Sequence, residues 1–358
     1  MLDRTRANIN LNALSNNLRV VKAMAKTSKV IAMVKCNAYG HGAIKVAQAI
    51  AEEVDLLGVM FLREALELTA AGIDTPIIIL TGFLSGEELS LIDQHGFDIV
   101  IHNFSQVAML EQIKLTRKLS CWLKIDSGMH RLGFQKDQVI EAYSRLRTLD
   151  NVKQPLRFLS HFAESDNPNS LRTLQQLTVF REAVKNFPGE RCLANSAAIL
   201  HWSATHADFI RPGILLYGVS PLAHGSGLDL DLVPVMTLTA PIIAIHQLDR
   251  GEKIGYDGIF ITPRAMTIGT LAIGYGDGYP RSAIDPPALI NGKRTTLLGR
   301  VAMDMVAIDL TGIADAKIGT EAVLWGKGLP IEEVARAANV IPYELFTRLT
   351  TRVTYNFQ

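Results

Sequence analysis

A lysine placed directly after an apolar run is a candidate for chemistry. Lys35 ends KVIAMVK. An amine beside a low-dielectric wall is disfavoured as the cation, which leaves a better nucleophile suited to Schiff-base chemistry. Two glycine-containing segments could serve an anion: NAYGHG just after that lysine, and GILLYG, with backbone amides near Gly213 and Ile214. Each alone is an ordinary tight turn. Paired with the lysine, they point to a phosphorylated aldehyde cofactor. Other polar groups also sit at the ends or edges of apolar runs: Lys124 and Asp126 in CWLKID, His161 in RFLSHF, Asn195 and Ser196 in CLANSA, and Arg211 in FIRPG. A single strand-end Lys or Arg is ordinarily a solvated rim charge, so the weight lies in their convergence on one mouth.

That convergence requires elements to position it. Eight short, uniformly apolar runs recur through the first two-thirds of the chain: KVIAMVK, LLGVM, PIIIL, FDIVI, CWLKID, RFLSHF, CLANSA and FIRPGILLYG. They are too short and too evenly apolar to be half-exposed strands and predict strands buried on both faces. Segments with helical spacing lie between them, such as HGAIKVAQAIAEE, REALELTAAG and SLRTLQQLTVFREAVKNF. The alternation predicts an α/β fold with an N-terminal (β/α)8 TIM-type barrel over residues 1–225, an open doubly wound sheet being the alternative. After LAHGSGLDL, short alternating runs between Gly, Pro and Asp turns predict a β-rich C-terminal domain over 226–358, with one helix near IEEVARAAN.

Composition excludes several classes of function. Lys plus Arg (36) balances Asp plus Glu (35) in 358 residues, so a net charge of +1 supplies no field for nucleic acid or an acidic membrane. The N-terminus lacks an apolar h-region, and no apolar stretch reaches the length of a membrane span. The three cysteines, Cys36, Cys121 and Cys192, form no disulfide framework and no metal-ligand spacing. A cytoplasmic protein without a metal is expected.

The motifs also carry a resemblance. AMVKCNAYGHG, LKIDSGMHRLGF, SHFAESD, NSAA, IRPGILLYG, EKIGYDGIF, AIGYGDGYPR, GRVAMDMV and PYELFTR resemble, in order and over essentially the whole chain, the blocks of the alanine racemases. These are pyridoxal 5'-phosphate enzymes of fold type III that interconvert L-alanine and D-alanine and supply D-alanine for cell-wall peptidoglycan. The resemblance implies that Lys35 holds the cofactor and serves as the base for D-alanine, and that Tyr256 is the opposite base, serving L-alanine. His161 would support Tyr256 and link it to Arg211, which would face the pyridine nitrogen. Arg131 and the backbone of Met303 would contact the substrate carboxylate. Tyr39, Asn195, Ser196, Gly213, Ile214 and Tyr343 would surround the cofactor, its phosphate above all. Lys124 matches a lysine carbamylated in many relatives, and Tyr275 and Arg281 match entry-channel residues. Ala302 stands where some relatives have cysteine, a difference expected to affect packing more than mechanism.

The resemblance further implies a homodimer in which Tyr256 and Met303 of one chain reach the barrel of the other. Three rival functions stay open on sequence: a broader-specificity amino-acid racemase, a barrel decarboxylase, and a non-catalytic carrier of the cofactor. The tyrosine block EKIGYDGIF and the long second domain favour the racemase over the other two.

Overall fold

The computed structural model describes residues 5–358. Eight parallel strands close a barrel: β2 (Lys29–Met33), β3 (Leu56–Val59), β4 (Ile77–Ile79), β5 (Asp98–Ile101), β6 (Cys121–Lys124), β7 (Arg157–Leu159), β8 (Arg191–Asn195) and β9 (Phe209–Arg211). These are the eight runs expected from sequence. Their apolar residues are buried because barrel side chains fill one face and the outer helices cover the other. Closure comes from β2, which pairs with β3 at Ile31↔Leu56 and with β9 at Lys29↔Phe209.

The outer helices follow the expected spacing. Ala43–Ile50 buries Val46, Ala47 and Ile50. Leu62–Ala70 buries Leu62, Ala65 and Leu68. Arg172–Val184 buries Gln176, Leu177, Phe180 and Val184 on one side. At the N-terminal end of the strands, Trp122 packs edge-on to Phe209 with centroids 5.2 Å apart. Arg157 lies over both rings and pairs with Asp98 (2.9 Å) and Glu190 (2.8 Å). This plug consolidates the floor of the barrel and leaves the opposite mouth to function.

The second domain is an eight-stranded, largely antiparallel sheet with one short accessory ribbon, Lys253–Ile254 with Phe260–Ile261. Its long strand, Met236–Leu248, pairs with Met266–Leu271 and with Glu321–Trp325. Helices Ile331–Ala338 and Pro342–Thr347 follow; the second of these was not anticipated. A larger difference from expectation concerns β1 (Arg6–Ile9). Residues 1–225 were assigned to the barrel, yet β1 lies in the second sheet, antiparallel to Met236–Leu248 and parallel to Thr354–Phe357. Its pairing groups are satisfied only there, because the barrel is already closed and offers no edge.

The joint between the domains is tied by buried polar groups. Asn17 Nδ2 donates to Leu216 O (3.0 Å) and Val233 O (2.8 Å), and its Oδ1 accepts from Val233 N (2.8 Å). Glu332, buried on helix Ile331–Ala338, accepts the backbone N–H groups of Ser220 (2.9 Å) and Gly227 (2.8 Å). The connecting segment is therefore held at both ends, and no loose linker separates barrel from sheet. Among the described residues no helix is long and apolar enough to cross a membrane.

Candidate active site

Lys35 follows β2 at the barrel mouth, and the chain then turns abruptly. Cys36, Asn37, Ala38 and Tyr39 all have φ of 53°, a full turn of left-handed helix made without glycine. Such residues cost roughly 1–2 kcal/mol each relative to the right-handed form, so neighbours must hold the turn in place. Glu64 accepts Cys36 N at 2.6 Å while also taking Met60 N and Phe61 N. Asn37 Oδ1 accepts Ala43 N at 2.8 Å. The buried His41 ring sets Nδ1 against Tyr39 O (2.9 Å) and Ala38 O (3.1 Å), which both accept, so the ring donates from Nδ1. The turn carries Tyr39 from the strand end to the last strand of the barrel, beside Gly213. A Cβ on Gly213 would lie 2.4 Å from Tyr39 Oη, so only glycine allows this approach.

The amine of Lys35 is lowered from its ordinary value, first by burial and then by Arg131 and Arg211, with Cys36 and Glu64 opposing. Lys124, the last residue of β6, is pulled down to about 8 by burial, then by Arg211, Arg131 and Lys35. His161 is held well below the usual imidazole value by burial and by the same cations. The mouth thus crowds positive groups together and keeps an imidazole neutral at pH 7.

Arg211 is buried and fixed at both terminal nitrogens. Nη1 donates to Cys192 O and Sγ, both at 3.0 Å, and Nη2 to Ser160 O (2.6 Å) and Leu193 O (3.2 Å). Nη2 also faces His161 Nδ1 at 3.4 Å. A guanidinium can only donate, so Nδ1 accepts and the proton of His161 resides on Nε2. Arg211 Nε has no partner among the described residues. A donor held on a rigid guanidinium and left unused fits an acceptor such as a pyridine nitrogen.

The opposite end of the site is built from hydroxyls. Tyr39 packs against Tyr217 (5.0 Å between centroids) and Tyr343 (5.7 Å). Burial pushes the phenols of Tyr39 and Tyr343 well above the ordinary value, which keeps both as neutral donors. Ser196 Oγ accepts Gly213 N at 2.9 Å, and Ile214 opens the 3-10 turn Ile214–Tyr217. Three hydroxyls and the amides of this turn suit a phosphate dianion. Asn195 has a local job: its Oδ1 accepts Ala198 N (3.0 Å) and Ser165 Oγ (2.8 Å), capping helix Ser196–His201 and so aiming Ser196. The residue types and arrangement fit pyridoxal phosphate, with an amine for its aldehyde, a donor for its ring and hydroxyls for its phosphate.

The structure brings Lys35, Tyr39, Lys124, Arg131, His161, Asn195, Ser196, Arg211, Gly213, Ile214 and Tyr343 to one mouth. Tyr343 is the residue that the second domain contributes there in the same chain. Tyr256, Tyr275, Arg281 and Met303 are elsewhere, on the second domain, with Tyr256 66% and Met303 53% exposed. Among the described residues no hydrogen bond or ring contact links these four to the mouth. Tyr275 and Met303 do adjoin each other: Tyr275 N donates to Ala302 O (3.0 Å) and Gly276 N to Met303 O (2.9 Å). Sequence reasoning missed Glu64 and His41. Glu64 has a local signal, since an acid three residues after Phe61 opens helix Leu62–Ala70, but nothing in that signal points to Cys36.

Comparison with known proteins agrees with the geometry. The family model described as alanine racemase, N-terminal domain, matches residues 9–221, and that for alanine racemase, C-terminal domain, matches 235–357. A curated alanine racemase of Pasteurella multocida is 46% identical over 348 residues, covering 97% of this chain and 96% of its own. The crystal structure of the biosynthetic alanine racemase of Pseudomonas aeruginosa superposes with a TM-score of 0.96 at 40% identity, covering all of both chains. The Bartonella henselae alanine racemase, described with covalently bound pyridoxal phosphate, gives 0.88 at 28% identity over 99% of each chain. Matched over both of its domains and at this identity over nearly its whole length, the chain belongs to the alanine racemase family.

Proposed function

We infer that this protein interconverts L-alanine and D-alanine using pyridoxal 5'-phosphate. The observation that carries this reading is Lys35, an amine lowered by burial and cations, at a mouth that also holds an unused Arg211 donor and a hydroxyl-lined end suited to phosphate. Pyridoxal phosphate, when bound, withdraws electrons and acidifies the proton on the substrate's α-carbon. Lys35 takes or returns that proton on one face. Tyr256 of the partner subunit does so on the other, and a base on each face is what inversion requires. A phenol is a weak base at its free pKa of about 10. The Nε2–H of His161 supports Tyr256 by donating to its oxygen, and Arg211 fixes the imidazole from the Nδ1 side.

Arg211 offers a hydrogen bond from Nε to the ring nitrogen, and a guanidinium does not readily give up its proton. With its proton retained, Arg211 would leave the ring nitrogen unprotonated, which would restrain electron withdrawal and disfavour transamination. Arg131, together with the backbone at Met303 from the partner, holds the substrate carboxylate, while Tyr275 and Arg281 line the approach. Lys124, with its depressed amine, is suited to carbamylation, which would convert one cation of the cluster into a partner for Arg131. The exposure of Tyr256 and Met303 supports a homodimer with shared sites, and three free cysteines suit a reducing cytoplasm.

Two readouts test the function. In deuterated solvent, L-alanine should exchange its α-proton and lose optical activity. Lys35→Ala should lose covalent attachment of the cofactor, whereas Tyr256→Phe should keep the cofactor's visible absorbance and lose racemisation. Cofactor binding without α-proton exchange for either enantiomer would make the protein a carrier.

A further inference from the structure

The loop that delivers Arg131 is organised around one carboxylate. Asp126 leaves β6 with its N–H bonded to Phe134 O (2.9 Å), and Phe134 N returns to Lys124 O (2.8 Å), so residues 126–134 form a closed excursion from the strand end. Gly133, at φ +125°, permits this closure, since a Cβ there would lie 2.6 Å from Asp126 N. Inside the loop, Asp126 Oδ1 accepts three successive backbone N–H groups: Gly128 (3.0 Å), Met129 (3.1 Å) and His130 (3.0 Å). Its Oδ2 meets His130 Nδ1 at 3.0 Å. The Asp126 side chain is 8% exposed.

His130 adopts φ +58°, a left-handed conformation that sets the direction in which the next residue leaves. That next residue is Arg131. Its guanidinium has no hydrogen-bond or ion-pair partner among the described residues, yet it is close enough to depress Lys35, Lys124 and His161. An unpaired cation on a long, flexible side chain is aimed only as well as its backbone is fixed.

We propose that Asp126 is a positioning residue for Arg131: by gathering three N–H groups and the His130 ring, it aims the guanidinium at the substrate carboxylate. This rests on the role given above to Arg131. The agent is the shape of the carboxylate's hydrogen bonding, since both Asp126 oxygens are engaged within the loop, by the N–H groups of Gly128, Met129 and His130 and by the His130 ring.

Two substitutions separate geometry from charge. Asp126→Asn keeps an Oδ1 acceptor for all three N–H groups, and its amide can donate to the other tautomer of His130. Asp126→Glu keeps the charge but overshoots the loop. The holoenzyme is titrated with propionate, a carboxylate of alanine's length that lacks the amine, followed through the cofactor's visible absorbance; the KM for L-alanine is measured in parallel. Asp126→Glu should weaken propionate and raise KM about tenfold with kcat little changed, as for an interaction made equally in ground and transition states. Asp126→Asn should stay near wild type. In an Arg131→Ala background, Asp126→Glu should add less than about twofold, because residues acting through one contact are not additive.

A normal Asp126→Glu, an impaired Asp126→Asn, or full additivity with Arg131→Ala would each overturn the positioning role. If Arg131→Ala alone leaves propionate binding unchanged, the carboxylate role of Arg131 falls, and the proposal falls with its premise.

Discussion

Lys124 shows how a barrel mouth can be costly at a single residue. It is 9% exposed, and the charges around it are mostly cations, Arg211, Arg131 and Lys35, with Asp126 opposing them. A lysine lowered from 10.5 to about 8 is protonated in both folded and unfolded chains below pH 8, so the whole penalty acts there. As pH rises the folded state loses its proton first, and the penalty disappears by about pH 10.5. In carbon-dioxide-free buffer, Lys124→Met should therefore be more stable than wild type at pH 7 by on the order of 1–3 kcal/mol. Thermal or urea midpoints should show that gap closing between pH 8 and pH 10.5. A gap that widens with pH would refute the assigned direction. Burial, reinforced by the same cluster of cations, keeps His161 neutral, something a strand-end histidine in RFLSHF could not reveal. The sequence placed the residue at the mouth; its tautomer required Arg211 beside it.

At the scale of elements, the strands were far more legible than the turn between two of them. Runs such as LLGVM and PIIIL are buried on both faces, so burial is written into every residue. The left-handed turn at Cys36–Tyr39 has no such signature, because its residues are ordinary and its supports come from Glu64, His41 and the distant helix Pro342–Thr347. Gly40 joins the last two systems. It sits at φ +78°, and a Cβ there would lie 2.2 Å from Phe346 O. Gly40→Ala should therefore press on the helix that carries Tyr343. We expect a loss of about 2 kcal/mol or more in stability. Cofactor affinity, measured by equilibrium dialysis, should fall as well. Full affinity in a destabilised variant would show that the turn and the Tyr343 helix are independent. Second-domain residues Tyr256 and Met303 were identifiable only through the resemblance, since an exposed tyrosine and a methionine in AMDM carry no local sign of chemistry.

At the scale of the whole molecule, one chain presents a complete barrel mouth and, separately, an exposed Tyr256. Isologous pairing would supply each mouth with the other chain's tyrosine and would do so twice. Mixing inactive Lys35→Ala chains with inactive Tyr256→Ala chains should then restore roughly one working site per heterodimer. Persistent inactivity after verified subunit exchange would argue against shared sites. The texture of the sequence changes after LAHGSGLDL, and the long strand of the second sheet starts at Met236, but β1 was not legible: RANI is short, and its partners are more than two hundred residues away in sequence. That separation bears on biogenesis. β1 lies between Met236–Leu248 and Thr354–Phe357, so the sheet that holds the earliest strand cannot be completed until Thr354–Phe357 has emerged from the ribosome. The eight barrel strands, with mostly nearer partners, can assemble during translation, whereas the second sheet awaits the long loop closure that makes high-contact-order folding slow.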